Sequence, residues 1–209
     1  LEAAMKVLFL DIDGVLNTQK FIVASQKKTD KQHAVPDEGP KSFTLDELAE
    51  MMEAREKADP VKVAKERWDW HVNMLDPVRI KRLNRIVNET GCVVVLSSSW
   101  RIGMDLWELS AMLQSKGAEF TLLSKTPSKT TNDECRGDEI WWWIRDWNDD
   151  VARKKMDEGN IVDRFVILDD DSDMGMLMAN LVRTSFFGED DEAGLNETHV
   201  EECIRRLNS

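Results

Sequence analysis

The sequence predicts an α/β protein, a three-layer sandwich with a central parallel sheet. Three observations carry that reading. Several short runs are apolar throughout instead of alternating: Lys6–Leu10 (KVLFL), Cys92–Leu96 (CVVVL) and Arg164–Leu168 (RFVIL). Strands buried on both faces look like this, because helices cover each side of a parallel sheet. Between the runs lie stretches whose apolar residues recur at helical spacing. Finally, the runs end abruptly in polar turns: Asp11-Ile-Asp13-Gly, Ser97-Ser98-Ser99 and Asp169-Asp170-Asp171.

The elements follow in order. Lys6–Leu10 is the first strand. The stretch from Asn17 to Asp76 is read as a small, mainly helical insert (18–75); its polar middle, Ser25–Ser42, with Pro36, Gly39 and Pro40, is expected to be a mobile loop. Thr44 with Glu47 three residues on is a capping-box start for a helix over Thr44–Lys57. Asp76-Pro77 pairs an N-cap with proline at the first helical position, and Gly91 supplies a stop. Cys92–Leu96 is the second strand, Met104–Lys116 a helix and Glu119–Leu123 the third strand. A long helix is expected over Asp138–Met156, with Ile140, Trp143, Ile144, Trp147 and Val151 on its apolar face, Trp141 flanking it and Trp142 pointing away. Arg164–Leu168 is the fourth strand, Met174–Asn180 a helical segment, Val182–Phe187 the fifth strand and Glu197–Leu207 the closing helix. The core is thus expected over 5–17 and 76–209. Leu1 to Ala4, ahead of Met5, read as a cloning remnant, and no secretory leader is recognised.

Composition bounds the function. The 209 residues carry 28 basic and 40 acidic side chains, a net charge of −12. That field repels a long polyanion and argues against a sequence-independent nucleic-acid coat. It leaves room for a compact phosphorylated ligand at one local site. No apolar run is long enough to span a bilayer, so no membrane partner is expected. Cys92, Cys135 and Cys203 are few, odd in number and lack a C-x-x-C pair, which points to a reducing, cytoplasmic setting without zinc or disulfide frameworks.

Chemistry is expected at the carboxyl ends of the strands, where open α/β sheets bind ligands. Asp11, Asp13, Asp169 and Asp170 would converge there although they are distant in sequence. Gathered carboxylates repel one another unless a cation joins them, and an all-oxygen set suits Mg²⁺. A hard divalent ion in an acidic nest suggests phosphate chemistry. Asp169 to Asp173 does not make a calcium loop, since its sixth position is Met174 and its twelfth Asn180. His33, His71 and His199 form no ligand spacing. No cysteine is followed six residues later by arginine, and Gly-Lys never occurs, which excludes the cysteine-phosphatase loop and the Walker A loop.

The run Lys6-Val-Leu-Phe-Leu-Asp11-Ile-Asp13-Gly-Val-Leu-Asn17, then Val93-Val-Val-Leu-Ser97, then Phe165-Val-Ile-Leu-Asp169-Asp170, resembles the first, second and fourth motifs of haloacid dehalogenase (HAD) superfamily phosphatases, in the right order. Ser98-Ser99-Trp100-Arg101 and Arg136-Gly137-Asp138-Glu139-Ile140 resemble the branch found in RNA-repair and phage proteins. The resemblance implies a Rossmann-like HAD fold in which the insert is a cap. It also implies a Mg²⁺-dependent phosphomonoester hydrolase with Asp11 as nucleophile and Asp13 as general acid and base. The ion would be held by the Asp11 side chain, the Asp13 carbonyl and Asp169 or Asp170. Ser97, preferred over Ser98 as the first hydroxyl after the strand, would bind a phosphoryl oxygen. The phosphate-neutralising cation of the third motif is first assigned to Arg136, with Lys125 and Lys129 as rivals.

Ser98 is also read as a helix cap beside the substrate, and Arg101 either binds a second phosphate or pairs with an aspartate. Trp142 either stacks on a nucleobase or packs against the insert. Trp68, Trp70 and His71 either pack or form a lid. The expected substrate is a phosphorylated small molecule, a nucleotide, or a polynucleotide 5′ or 3′ end. The alternatives are a non-catalytic phosphate- or nucleic-acid-binding module and a phosphotransferase using the same nucleophile. The oligomeric state is not legible.

Overall fold

The computed structural model describes residues 5–30, 59–128, 135–154, 158–189 and 192–209. The helix expected over Thr44–Lys57 and the side chain of Lys129 lie outside the described residues. Five strands form one sheet: β1 (Met5–Leu10), β2 (Val93–Leu96), β3 (Leu122–Lys125), β4 (Val162–Asp169) and β5 (Leu181–Arg183). Their order is β3-β2-β1-β4-β5, and every adjacent pair is parallel.

The apolar runs are buried on both faces because alternate residues enter different cores. Leu8, Leu10, Val94, Leu96, Val166 and Leu168 pack with helices α3 (Pro77–Thr90), α4 (Leu106–Ser115) and α6 (Glu197–Asn208). Val7, Phe9, Val95 and Ile167 pack on the opposite face with Ile140, Trp143 and Ile144 of helix α5 (Arg136–Lys154). This is the period-two division of a strand, with both halves apolar.

Helices α1 (Gln19–Asp30) and α2 (Pro60–Met74) stand between β1 and α3. Ser25–Asp30 is therefore helical, correcting the loop expected there. The Thr18 hydroxyl accepts from the Phe21 amide at 3.3 Å and starts α1; Asp59 caps α2 on the Val61 amide at 3.0 Å, with Pro60 behind it. Ile22, Trp68 and Val72 reach the α3/α4/α6 core, so these helices share it. Asp76 caps α3 through the Val78 amide at 2.9 Å, and Gly91 closes it at φ 66°, a left-handed conformation that favours glycine.

Other boundaries move. The third strand lies at Leu122–Lys125 instead of Glu119–Leu123, and α4 begins at Leu106 instead of Met104. The fifth strand stops at Arg183, because the chain leaves the sheet at Thr184, and Gly175–Asn180 is a 3₁₀ segment. On α5, Trp143 is buried and Trp147 half-buried, as the apolar face requires, whereas Trp141 is exposed and Trp142 half-buried. Among the described residues, no helix is long and apolar enough to cross a membrane.

The chain builds β2 and β3 on one side of β1, then crosses to place β4 and β5 on the other. The connections thus diverge between β1 and β4, opening a crevice at their carboxyl ends.

Candidate active site

Asp11 and Asp169 stand at that crevice. The β1–β4 register carries Leu10 opposite Leu168, and the Asp11 amide donates to the Leu168 carbonyl at 2.9 Å. Ser97 enters from the neighbouring strand, its amide donating to the Leu10 carbonyl at 2.8 Å. Three polar strand ends from distant parts of the chain thus meet because adjacent parallel strands end together.

The loop after β1 is fixed tightly. Gly14 adopts φ +71°, and a Cβ there would collide with the Asp170 carboxylate, so both the turn and the approach of Asp170 need glycine. The Thr184 hydroxyl donates to the Gly14 carbonyl at 2.7 Å, and the Asn17 carboxamide oxygen accepts from the Gly14 amide at 3.1 Å.

Asp11, Asp169 and Asp170 each offer an oxygen within 4.8 Å of the others. Burial pushes the Asp11 carboxyl up to about 7, with the nearby Asp169 charge adding to it. Burial also lifts Asp169 to about 6 and raises Asp170. The buried Asp169 Oδ2 has no hydrogen-bond partner among the described residues. Clustered hard oxygens, one of them orphaned, fit a divalent cation held by these three side chains. The Asp13 side chain is not in this cluster; its Oδ1 accepts from Asn17 Nδ2 at 2.8 Å and its Oδ2 from Trp100 Nε1 at 3.0 Å.

Arg136 opens α5. That helix start is pinned to the β4 loop: the Arg136 amide donates to Asp173 Oδ2 at 3.3 Å, and the Gly137 amide to the Asp173 carbonyl at 3.1 Å. Gly137 packs so closely on the Met174 carbonyl that a Cβ would overlap it. The Arg136 guanidinium is delivered 3.7 Å from Asp11 Oδ1, 3.8 Å from Asp169 Oδ2 and 3.7 Å from Glu139 Oε2. Its Nη1 is buried and has no hydrogen-bond partner among the described residues.

The remaining expected residues are placed differently. Arg101 is a correction. Its guanidinium is buried and donates to the carbonyls of Thr126 (3.1 Å), Ser97 (3.1 Å), Ser98 (2.7 Å) and Pro127 (3.2 Å), and to Glu139 Oε2 (2.6 Å). An arginine has five N–H donors, and all are spent, leaving none for a second phosphate. Lys125 Nζ is turned to the Arg101 and Met104 carbonyls at 3.0 and 2.7 Å. The Ser98 hydroxyl bonds Asp11 and also accepts from the Trp100 amide at 3.4 Å. The Ser97 hydroxyl is buried without a partner among the described residues. Trp142 makes no hydrogen bond to the acidic residues. Asn17, Trp100 and Glu139 were not given site roles by the sequence; Asn17 at four residues from Asp13 was the one local signal.

A parallel sheet with an acidic crevice at its topological switch point, faced by a partnerless guanidinium, is the architecture of a haloacid dehalogenase hydrolase. A family model described as the HAD domain in Swiss Army Knife RNA repair proteins matches residues 7–200, and the chain belongs to that family. Membership points to hydrolase activity. No curated protein matches the chain. Among solved structures it is similar to a haloacid dehalogenase-like family hydrolase from Streptococcus pneumoniae, at 11% identity and a TM-score of 0.38, over 97% of this chain and 92% of that one. So loose a likeness adds nothing to the family assignment.

Proposed function

We propose that the protein is a Mg²⁺-dependent phosphomonoester hydrolase acting through an aspartyl-phosphate on Asp11. The observation that carries this reading is the Arg136 Nη1, buried and partnerless among the described residues, 3.7 Å from Asp11 Oδ1. A guanidinium held there is ready for the oxygens of a phosphoryl group bound against Asp11. Asp11, Asp169 and Asp170, with the Asp13 carbonyl, would hold Mg²⁺. The ion supplies charge neutralisation between an anionic nucleophile and an anionic ester.

The chain's own groups then divide the work. An Asp11 oxygen attacks phosphorus, and the bond to the leaving oxygen breaks as Asp13 gives it a proton. Asp13, now a carboxylate, takes a proton from the water that cleaves the aspartyl-phosphate. Ser97, whose hydroxyl is otherwise idle, donates to a phosphoryl oxygen. Ser98 orients Asp11, and Arg136 gathers charge on the transferring group.

For substrate we propose a nucleotide or a polynucleotide 5′ or 3′ end. The family's description as RNA-repair domains supports the nucleic-acid end; the net charge of −12 favours the smaller ligand. The test is phosphate release from 5′- and 3′-nucleotides and end-phosphorylated oligonucleotides in Mg²⁺. Release by the wild type and none by Asp11→Asn is expected. Equal background from both proteins on every substrate would end the reading.

A further inference from the structure

Asp13 is held by more than its own loop. One carboxylate oxygen accepts from Asn17 and the other from the Trp100 indole N–H, 87 positions away in sequence. Lateral donors on both oxygens fix the plane of a carboxylate, which a single bond would leave free to swing. Trp100 is itself immobilised from two sides. Below, it sits in the 3₁₀ turn Ser99–Arg101, whose start is capped by Ser98 and whose end is anchored by the five bonds of Arg101. Above, His71 of α2 meets its ring edge-to-face, centroids 4.7 Å apart at 80°. His71 Nδ1 lies 2.7 Å from the Arg67 carbonyl, which ties the imidazole to its own helix.

We infer that Trp100 is a positioning residue that aims Asp13 at the leaving oxygen, and that the insert helix α2 holds it in place through His71. This rests on the reading of Asp13 as general acid. It assigns the insert a second task besides covering the site: α2 steadies the acid through one aromatic contact and one N–H bond. Trp100 touches neither phosphate nor metal in this scheme; it acts through Asp13.

The consequence is selective. An alkyl ester departs as an alkoxide and needs the proton from Asp13, whereas p-nitrophenolate departs without help. The readout is kcat/KM, which ends at the first irreversible step, loss of the leaving group, and so excludes the later hydrolysis of aspartyl-phosphate. Trp100→Phe keeps a ring against His71 and deletes only the N–H. Its kcat/KM for a nucleoside 5′-monophosphate should fall about 10- to 100-fold, part of the usual range for general acid catalysis. For p-nitrophenyl phosphate it should stay within about threefold, which also shows that the variant is folded. His71→Ala should shift the same ratio in the same direction by less, and it decides the matter if Trp100→Phe does not fold. Equal losses on both esters, or no loss on either, would overturn the assignment. Wild-type protein that cleaves neither ester, under conditions where Mg²⁺ is present, overturns the phosphatase reading and this one with it.

Discussion

Two arginines converge on Glu139 from opposite sides of the crevice, and they do different things. Arg101, in the turn after β2, is bonded at 2.6 Å to the Glu139 carboxylate and gives its other donors to four backbone carbonyls. Arg136, at the start of α5, stands 3.7 Å from the same carboxylate and keeps a buried nitrogen without a hydrogen bond among the described residues. Both are cations near Asp11. What separates a scaffold arginine from a reactive one here is how many donors remain unspent. Burial lowers the Arg101 pKa, with Glu139 opposing the effect, as expected of a guanidinium enclosed by its own fold.

The contrast breaks most visibly on removal of each arginine. Arg101→Ala would strand the Glu139 carboxylate and several carbonyls, and a loss of about 3–5 kcal/mol of stability is expected, read from chemical denaturation. Arg136→Ala should leave the melting temperature within a few degrees while kcat/KM for a phosphomonoester falls by about 10²–10³. The opposite pattern, a stable Arg101→Ala with lost turnover and an unstable Arg136→Ala, would reverse the two roles.

A smaller effect sharpens the electrostatic side. Asp11 holds its proton up to about 7 in the fold, against 3.8 for an ordinary carboxyl. Between those limits the folded, metal-free chain binds more protons than the unfolded one, so its stability falls as pH rises from about 4 to about 7. Asp11→Asn should flatten that slope in melting curves recorded with a chelator. Added Mg²⁺ should raise the melting temperature of the wild type more at pH 8 than at pH 5, because protons compete for the same oxygens. A chelated wild type and Asp11→Asn with parallel pH profiles would remove Asp11 from the acidic cluster.

The same pair of arginines shows what a sequence can and cannot disclose. Apolar runs ending in Asp11, Ser97 and Asp169 mark strands and their polar ends, and the Asp76-Pro77 and Gly91 signals delimit α3, because these are local rules. Arg136 is legible by its position before a helix. The spending of Arg101 is not, since its acceptors are main-chain carbonyls of two separate loops, and every residue owns a carbonyl. Trp100 is hidden for a similar reason: its partner Asp13 is brought to it by the sheet. Helix α1 escapes because QKFIVASQKKTD has no acidic first turn and only a weak apolar stripe. The fifth strand was read too long because Phe186 and Phe187 look like strand residues but lie in the turn that leaves the sheet.

The account stands most directly on a crystal structure of the protein grown with Mg²⁺ and beryllium fluoride, a mimic of the phosphoryl group. It predicts the fluoride bonded to an Asp11 oxygen, an ion shared by Asp11 and the Asp169–Asp170 pair, and the Arg136 guanidinium turned onto a fluorine. A fluoride bound away from Asp11, with Arg136 still facing only carboxylates, would contradict it.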